Sequence, residues 1–445
     1  MPIILLLSLL IAPARAADLS SVVNAAVLRS PAAAEARARR KSADAAGREV
    51  TRSRLPRLSA AGSFTRSDDP LFSFGSLLQE RRVTQADFDP ARLNRPGYKT
   101  AVHGTLELGV PLFTGFELTR AAELAELYGR EADAWGGAAA QGVRLRAVTS
   151  YVARLEDRDL LAELDERLKS AATAIERAER LRRQGLVLGS DHQAALAILS
   201  GLRARRAQAA AEKSAHDAEL SALLGAAAPD AAGTLGAWAP PVEDDAALVS
   251  AALAARPDLR VAGLRREQAA VRVRGADAGL SPVVDAFAAL ETSDDGLGSG
   301  AAAARRIGVR ASVPFGDPAY FARRARARAD ADAQQDARAS LEDAVRGEVL
   351  ARAAGVRGLG AVAPELDESL ARARQSLDEV RPLYREGRQS VMEVLRAEEA
   401  VAKLVEARLD ARRRLRADWA ALRAAEGRLD DEAIMTLGRS LEDAR

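Results

Sequence analysis

The side chains that most often carry catalysis are sparse in this chain. There are three histidines, His103, His192 and His216, and no cysteine. The histidines are scattered and make no ligand cluster. No glycine-rich phosphate loop, Ser/His/Asp set or pair of catalytic carboxylates can be read from the sequence. The lack of thiols removes disulfides, thiolate metal sites and the lipid-bearing cysteine of a bacterial lipoprotein. The expectation is therefore no enzyme, no metal and no cofactor. His103 lies near Glu107 on a polar strand face and reads as a wetted residue. Arg323-Arg324-x-Arg326-x-Arg328 could suggest nucleic acid, but 65 Lys+Arg are balanced by 63 Asp+Glu. A solvated helix face is the simpler reading, so no nucleic-acid partner is expected.

Organised polar residues occur instead at two turns. One is Leu181-Arg182-Arg183-Gln184-Gly185-Leu186-Val187-Leu188-Gly189-Ser190-Asp191. The other is Tyr384-Arg385-Glu386-Gly387-Arg388-Gln389-Ser390-Val391-Met392-Glu393-Val394-Leu395. Each glycine separates two apolar stripes of helical spacing, where a chain leaving a helix needs a left-handed residue. Gly185 and Gly387 lie 202 residues apart, and so do Gly225 and Gly427, which end the returning helices. Ser190-Asp191 would cap the first returning helix. Leu186 and Val187 are apolar at an exposed turn, which points to an interface.

The elements behind these turns repeat. Residues 1–16 read as a secretory signal: a short apolar run ends in Ala14-Arg15-Ala16, although its positive start is missing. Residues 17–225 form a first repeat, 226–245 a linker, 246–430 a second repeat and 431–445 a C-terminal tail. Pro31 and Pro257 lie 226 apart, as do Pro56 and Pro282. Apolar and polar residues alternate over 57–67, 99–111, 283–293 and 305–313, which predicts strands. Long helices follow over about 117–184 and 320–383, ending in tips at about 185–190 and 384–390. The first strand pair encloses a loop, 68–98, whose apolar residues would fold it onto itself or a neighbour. Pro111 and Pro314 are only 203 apart, so that loop is 23 residues longer than its counterpart.

No run approaches the ~18 apolar residues of a transmembrane helix. A membrane-crossing chain of this kind must use a closed β-barrel. The alternation fits either a soluble sandwich or a barrel with a lipid-facing side; the secretory signal and the missing second sheet favour the barrel. Four strands cannot close alone, since eight give a filled barrel and ~16 a channel, so several protomers must each donate four. The fold class expected is mainly helical, with duplicated long hairpins and a small β part. A secreted coiled-coil scaffold or adhesin is the rival reading, but it has no need of the strand pairs.

The arrangement resembles the TolC-like outer-membrane efflux channel family over about residues 18–430. Arg256-Pro257-Asp258-Leu259, Val110-Pro111-Leu112-Phe113-Thr114-Gly115, Gly185-Leu186-Val187 with Ser190-Asp191, and Tyr384-x-x-Gly387-x-x-Ser390-x-x-Glu393-Val394-Leu395 carry the likeness. The resemblance implies a homotrimer with a 12-stranded barrel in outer-membrane lipid and a helical tunnel in the periplasm. It implies a passive duct for efflux or export, of small molecules or of polypeptides. Its tips, here Gly185, Leu186, Val187, Ser190, Gly387 and Ser390, would touch a periplasmic adaptor, itself bound to an inner-membrane pump. It implies a periplasmic gate in which Asp191 contacts Tyr384 and Gln389. Gln389 replaces the family's basic residue. Glu393 matches one of two acidic positions at the constriction, and Arg396 replaces the other.

Overall fold

The computed structural model describes residues 17–296 and 302–442; the expected signal segment lies outside them. In chain order the elements are α1 (Leu19–Arg29), α2 (Pro31–Arg52), β1 (Arg57–Ser67), α3 (Pro70–Gln79), α4 (Pro90–Asn94), β2 (Lys99–Thr114), α5 (Glu117–Arg183) and α6 (Gly189–Leu224). The second half supplies α7 (Asp245–Ala255), α8 (Pro257–Asp277), β3 (Val283–Asp294), β4 (Ala302–Ser312), α9 (Tyr320–Arg385), α10 (Val391–Ala425) and α11 (Asp431–Glu442). The chain divides into two compact units that run across the repeats. One holds Met1–Ala38, Ala132–Ala262 and Ala337–Arg445, the other Arg39–Glu131 and Gly263–Asp336.

The second of these units carries the strands, in one antiparallel sheet of order β1-β2-β3-β4. The duplication is visible in its register. Arg57 pairs with Gly109 in the first hairpin and Val283 with Ser312 in the second, which is the same pair displaced by 226 and 203 residues. β2 runs three residues past its expected end, through an irregularity between Pro111 and Phe113. Pro111 has no N–H for the ladder, so the strand bulges there rather than stopping. β4 starts at Ala302 rather than 305. The segment 68–98 is not a plain loop. Asp69 accepts from the Phe72 amide at 2.7 Å ahead of Pro70 and starts α3, and Asp89 ahead of Pro90 starts α4 in the same way. Pro fits the first helical position, where an N–H would lack a partner anyway.

The first unit is built on paired helices with equivalent caps. Asp18 caps α1 and Asp244, 226 residues on, caps α7; their buried faces also correspond, Val22 and Ala26 against Leu248 and Ala252. Residues 226–244 contain no helix and are pinned across α10. Arg412 donates to the Leu235 carbonyl at 2.8 Å, Arg416 to the Gly236 carbonyl at 3.0 Å, and the Trp419 indole to the Pro241 carbonyl at 3.1 Å. Spacings of four and three put these donors on one helix face. Trp238 closes the stripe by packing edge-on against Trp419 at 5.5 Å. Within the expected tail, α11 buries Ile434, Leu437 and Leu441, and Arg416 donates to the Ser440 carbonyl at 2.8 Å.

The equivalent glycines Gly225 and Gly427 are both left-handed, at φ 60° and 72°, but differ in surroundings. A Cβ on Gly225 would meet nothing within 4 Å, whereas one on Gly427 would lie 2.9 Å from the Arg256 Cα. Gly225→Ala should therefore cost only the left-handed penalty, about 1 kcal/mol. Gly427→Ala adds a backbone clash and should cost at least about 2 kcal/mol. Thermal unfolding of the detergent-solubilised protein checks the order, and equal midpoints would contradict it.

Candidate functional site: a two-faced sheet and two helical tips

Directly paired residues of antiparallel strands share a face. Leu58, Leu108, Ala288 and Ile307 form one such row, and Ala60, Leu106 and Leu290 the next. This apolar face is bare: Ile307 is 88% exposed and Phe64 71%. Charge returns to it only near the hairpin end, at Arg66, Arg305 and Asp294. The opposite face carries Ser63, Thr65, His103, Thr105, Glu107, Glu291, Arg306 and Arg310. There Arg306 pairs with Glu291, and the His103 Nδ1 lies 2.9 Å from the Ser293 hydroxyl. A soluble sandwich would have covered the apolar face, and no second sheet is present among the described residues. β1 and β4 are outermost, so each leaves one row of backbone groups without a strand partner. None of the described helices is long and apolar enough to cross a membrane.

The tips are a matched pair. At the first, the Leu186 amide bonds the Leu181 carbonyl at 3.0 Å and the Gly185 amide the Arg182 carbonyl at 2.9 Å. At the second, Arg388 bonds Leu383 at 2.9 Å and Gly387 bonds Tyr384 at 3.1 Å. Both glycines have φ 76°. This double closure satisfies the last helical carbonyls and needs a residue without a Cβ penalty. Leu186 is 71% exposed and Leu188 nearly as bare, while Val187 is half-buried. Ser390 caps α10, accepting from the Glu393 amide at 3.4 Å. Ser190 does not cap α6. That helix starts one residue earlier, at Gly189, and its N-cap is Leu188, with no side-chain cap bond. Ser190 and Asp191 therefore fall inside the first turn, where the Asp191 charge suits the helix dipole.

The structure does not join Asp191 to Tyr384. Tyr384 is buried, and its hydroxyl donates to the Ala174 carbonyl on α5 at 2.9 Å. That carbonyl belongs to a helix interior, but a second lone pair remains for the phenol. Arg177 stacks over the Tyr384 ring at 5.7 Å and donates to the Arg385 carbonyl at the end of α9. Tyr384 thus fastens α9 to α5. Among the described residues no hydrogen bond links Asp191 to Gln389, and Gln389 is exposed. Glu393 and Arg396 are brought together, 3.0 Å apart and both exposed. His192 is not isolated either: its Nε2 lies 3.4 Å from Glu179, whose carboxylate is held down to about 2 by Arg182.

The sequence matches the family of outer membrane efflux proteins over residues 22–226 and 248–428. Among solved structures the chain is similar to the outer membrane protein VceC of Vibrio cholerae, with a TM-score of 0.73, 20% identity, and 93% of this chain and 97% of that one covered. It is similar to the CmeC outer membrane channel of Campylobacter jejuni, with a TM-score of 0.76, 14% identity, and 96% and 90% covered. It is also similar to the open MtrE outer membrane channel of Neisseria gonorrhoeae, with a TM-score of 0.74, 17% identity, and 94% and 90% covered. At these identities the likeness is one of fold. No curated protein matches the sequence.

Behind the tips lie buried charges that motif reading missed. Glu398 is fully buried on α10 and is held by Arg167 at 3.2 Å, by Arg381 at 2.7 Å and by the Ser170 hydroxyl. The signal was its position: Glu398 interrupts the buried stripe of Val391, Val394, Leu395, Val401 and Val405. Further along, Glu156 on α5 pairs with Arg413 on α10. Burial, together with Asp410 and Asp157, pushes Glu156 from 4.5 up to about 7 against the pull of Arg413. The folded chain therefore holds a proton between pH 4.5 and about 7 that the unfolded chain has lost. Stability must fall as pH rises through that window, by up to about 2 kcal/mol once partial exposure is allowed for. Glu156→Gln should flatten the pH dependence of thermal unfolding between pH 5 and 8, and an unchanged slope would contradict this.

Proposed function

Because this chain belongs to the outer membrane efflux protein family, and so is the outer-membrane channel of a tripartite efflux system with its helices in the periplasm, we propose how its parts divide that work. The observation that carries the reading is the bare apolar face on a sheet with two open edges. Three copies would join β4 of one to β1 of the next, giving twelve strands, between the filled eight-stranded barrel and the open sixteen-stranded one. The apolar rows then meet outer-membrane lipid, and the His103, Thr105 and Glu107 side lines water.

At the periplasmic end the two tips meet a periplasmic adaptor, through which the inner-membrane pump is coupled. Gly185 and Gly387 set the turns, Leu186 and Val187 supply apolar contact, and Ser190 and Ser390 present hydroxyls beside it. Asp191, Gln389, Glu393 and Arg396 form the gate region, with Tyr384 as the anchor of the second tip rather than a partner of Asp191. Solutes pass down their own gradient or under the pump's drive, because the family is a channel family.

Two measurements test this. Leu186→Asp with Val187→Asp should abolish drug resistance conferred by the assembled pump while the trimer persists on a native gel. Resistance at the wild-type level would remove the adaptor contact. The Glu393–Arg396 pair is nearly neutral, so Glu393→Gln frees one cation per protomer. The reversal potential of the reconstituted channel in a salt gradient should shift toward anion preference. No shift would place these side chains outside the conducting path.

A further inference from the structure

The first hairpin carries 23 more residues between its strands than the second, and they are folded. The strand ends away from this hairpin lead into α5 and α9, so with the helices in the periplasm the insert lies on the outer side. α3 ends in a left-handed closure like those of the tips: the Arg82 amide bonds the Leu77 carbonyl at 3.0 Å and the Arg81 amide the Leu78 carbonyl at 3.1 Å. Yet the left-handed residue is not glycine but Arg81, at φ 58°. A side chain there is strained, and such strain persists where surrounding contacts hold it.

Three neighbouring side chains make those contacts. Arg81 donates to the Ala303 carbonyl of β4 at 3.0 Å. Arg82 pairs with Asp295 and lies 3.7 Å from Asp294 at the end of β3. Glu80, almost fully buried, receives the Lys99 ammonium at 2.8 Å at the start of β2. Three consecutive residues therefore grip three strands. Phe74 packs edge-on to Phe88 at 5.5 Å and ties α3 to the 3₁₀ turn Gln85–Phe88 ahead of α4. The insert lies chiefly over the polar face of β2 and β3, and on the apolar face it reaches Asp294 at the strand end. At this end of the sheet Ala101 is 0% and Ser293 7% exposed on the polar face, whereas Phe64 on the apolar face is bare.

We propose that the 68–98 insert is an outer lid on the duct, latched over the water-facing side of the sheet by Arg82 against Asp295 at the end of β3, and that it sets the size of solute that can pass. The proposal rests on the polar face being the wetted one. The lid's charges face one another across the latch, so reversing Arg82 turns its attraction to Asp295 into repulsion, while Glu80 keeps Lys99. Like charges at this range repel and release the insert.

The absence of cysteine makes the test clean. Thr105→Cys places a thiol on the polar face inward of the lid, and Ile307→Cys places one on the apolar face. Water-soluble maleimides of small and large size are added to intact cells. The small reagent should label Thr105→Cys and the large one should be excluded. Adding Arg82→Asp should admit the large reagent, and Asp295→Arg on top of it should restore exclusion. If Arg82→Asp fails to reach the membrane, Arg82→Gln carries the same comparison. Equal labelling by the large reagent with and without the latch change overturns the lid while leaving the channel intact. Labelling of Ile307→Cys as readily as Thr105→Cys overturns the assignment of faces, and with it the channel reading.

Discussion

A backbone row without a partner is the constraint on which this molecule turns. In lipid each unbonded amide or carbonyl costs several kcal/mol, so an open sheet cannot remain there alone. β1 and β4 each present such a row. One face of each is apolar and bare, so water cannot serve as the permanent partner without leaving Phe64, Ile307 and Val309 uncovered. Closure with other copies satisfies the hydrogen bonds and the apolar face together. The protomer is thus a fragment whose stability in the membrane is inseparable from assembly.

The helical unit solves a different problem with the same duplicated parts. Long helices rich in Ala and Arg have little apolar volume, and the unit compensates by burying charge in pairs. Glu398 with Arg167 and Arg381, and Asp367 with Arg412 at 2.6 Å, lie at helix contacts where leucine would serve a larger core. Such pairs add little net stability over an apolar contact, but breaking one strands a charge. Arg416 goes further. It is fully buried, satisfied by the carbonyls of Arg412, Gly236 and Ser440 and by the Trp238 ring, and burial draws its pKa down to about 10. It fixes α11 and the connecting segment to α10, which joins the two repeats at their base.

Much of this was legible because it follows from spacing. Period-two alternation marked all four strands, and the offsets of Pro31, Pro56 and Pro111 anticipated the register that pairs Val283 with Ser312. The glycine turns were legible for the same reason, since only a left-handed residue closes that helix end. Short elements were not. α3 and α4 are ten and five residues long, too short for a periodic stripe, and only the Asp-Pro steps announced them. α11 lay beyond the last repeat, where no counterpart could reveal it. Ser190 misled because its cap geometry depends on where the helix starts, which Gly189 moved by one residue. The bond of the Tyr384 hydroxyl to the Ala174 carbonyl was not legible, because no spacing shows which backbone oxygen of α5 faces that ring.

The twin closures at Gly185 and Gly387 carry one more consequence. Their backbones coincide in hydrogen bonding and in φ, but the following residues are Leu-Val-Leu in one and Arg-Gln-Ser in the other. In a ring of three chains, six near-identical scaffolds alternate oily and polar. Shape alone therefore offers sixfold symmetry, while chemistry offers threefold. A collar of six equal subunits would meet two kinds of seat, three of each, whereas a collar that itself alternates could settle in two phases, which only the chemistry of the tips tells apart. Such a ring would encode rotational phase for an alternating collar, much as a keyed shaft does, in a handful of side chains that the fold itself leaves free to vary.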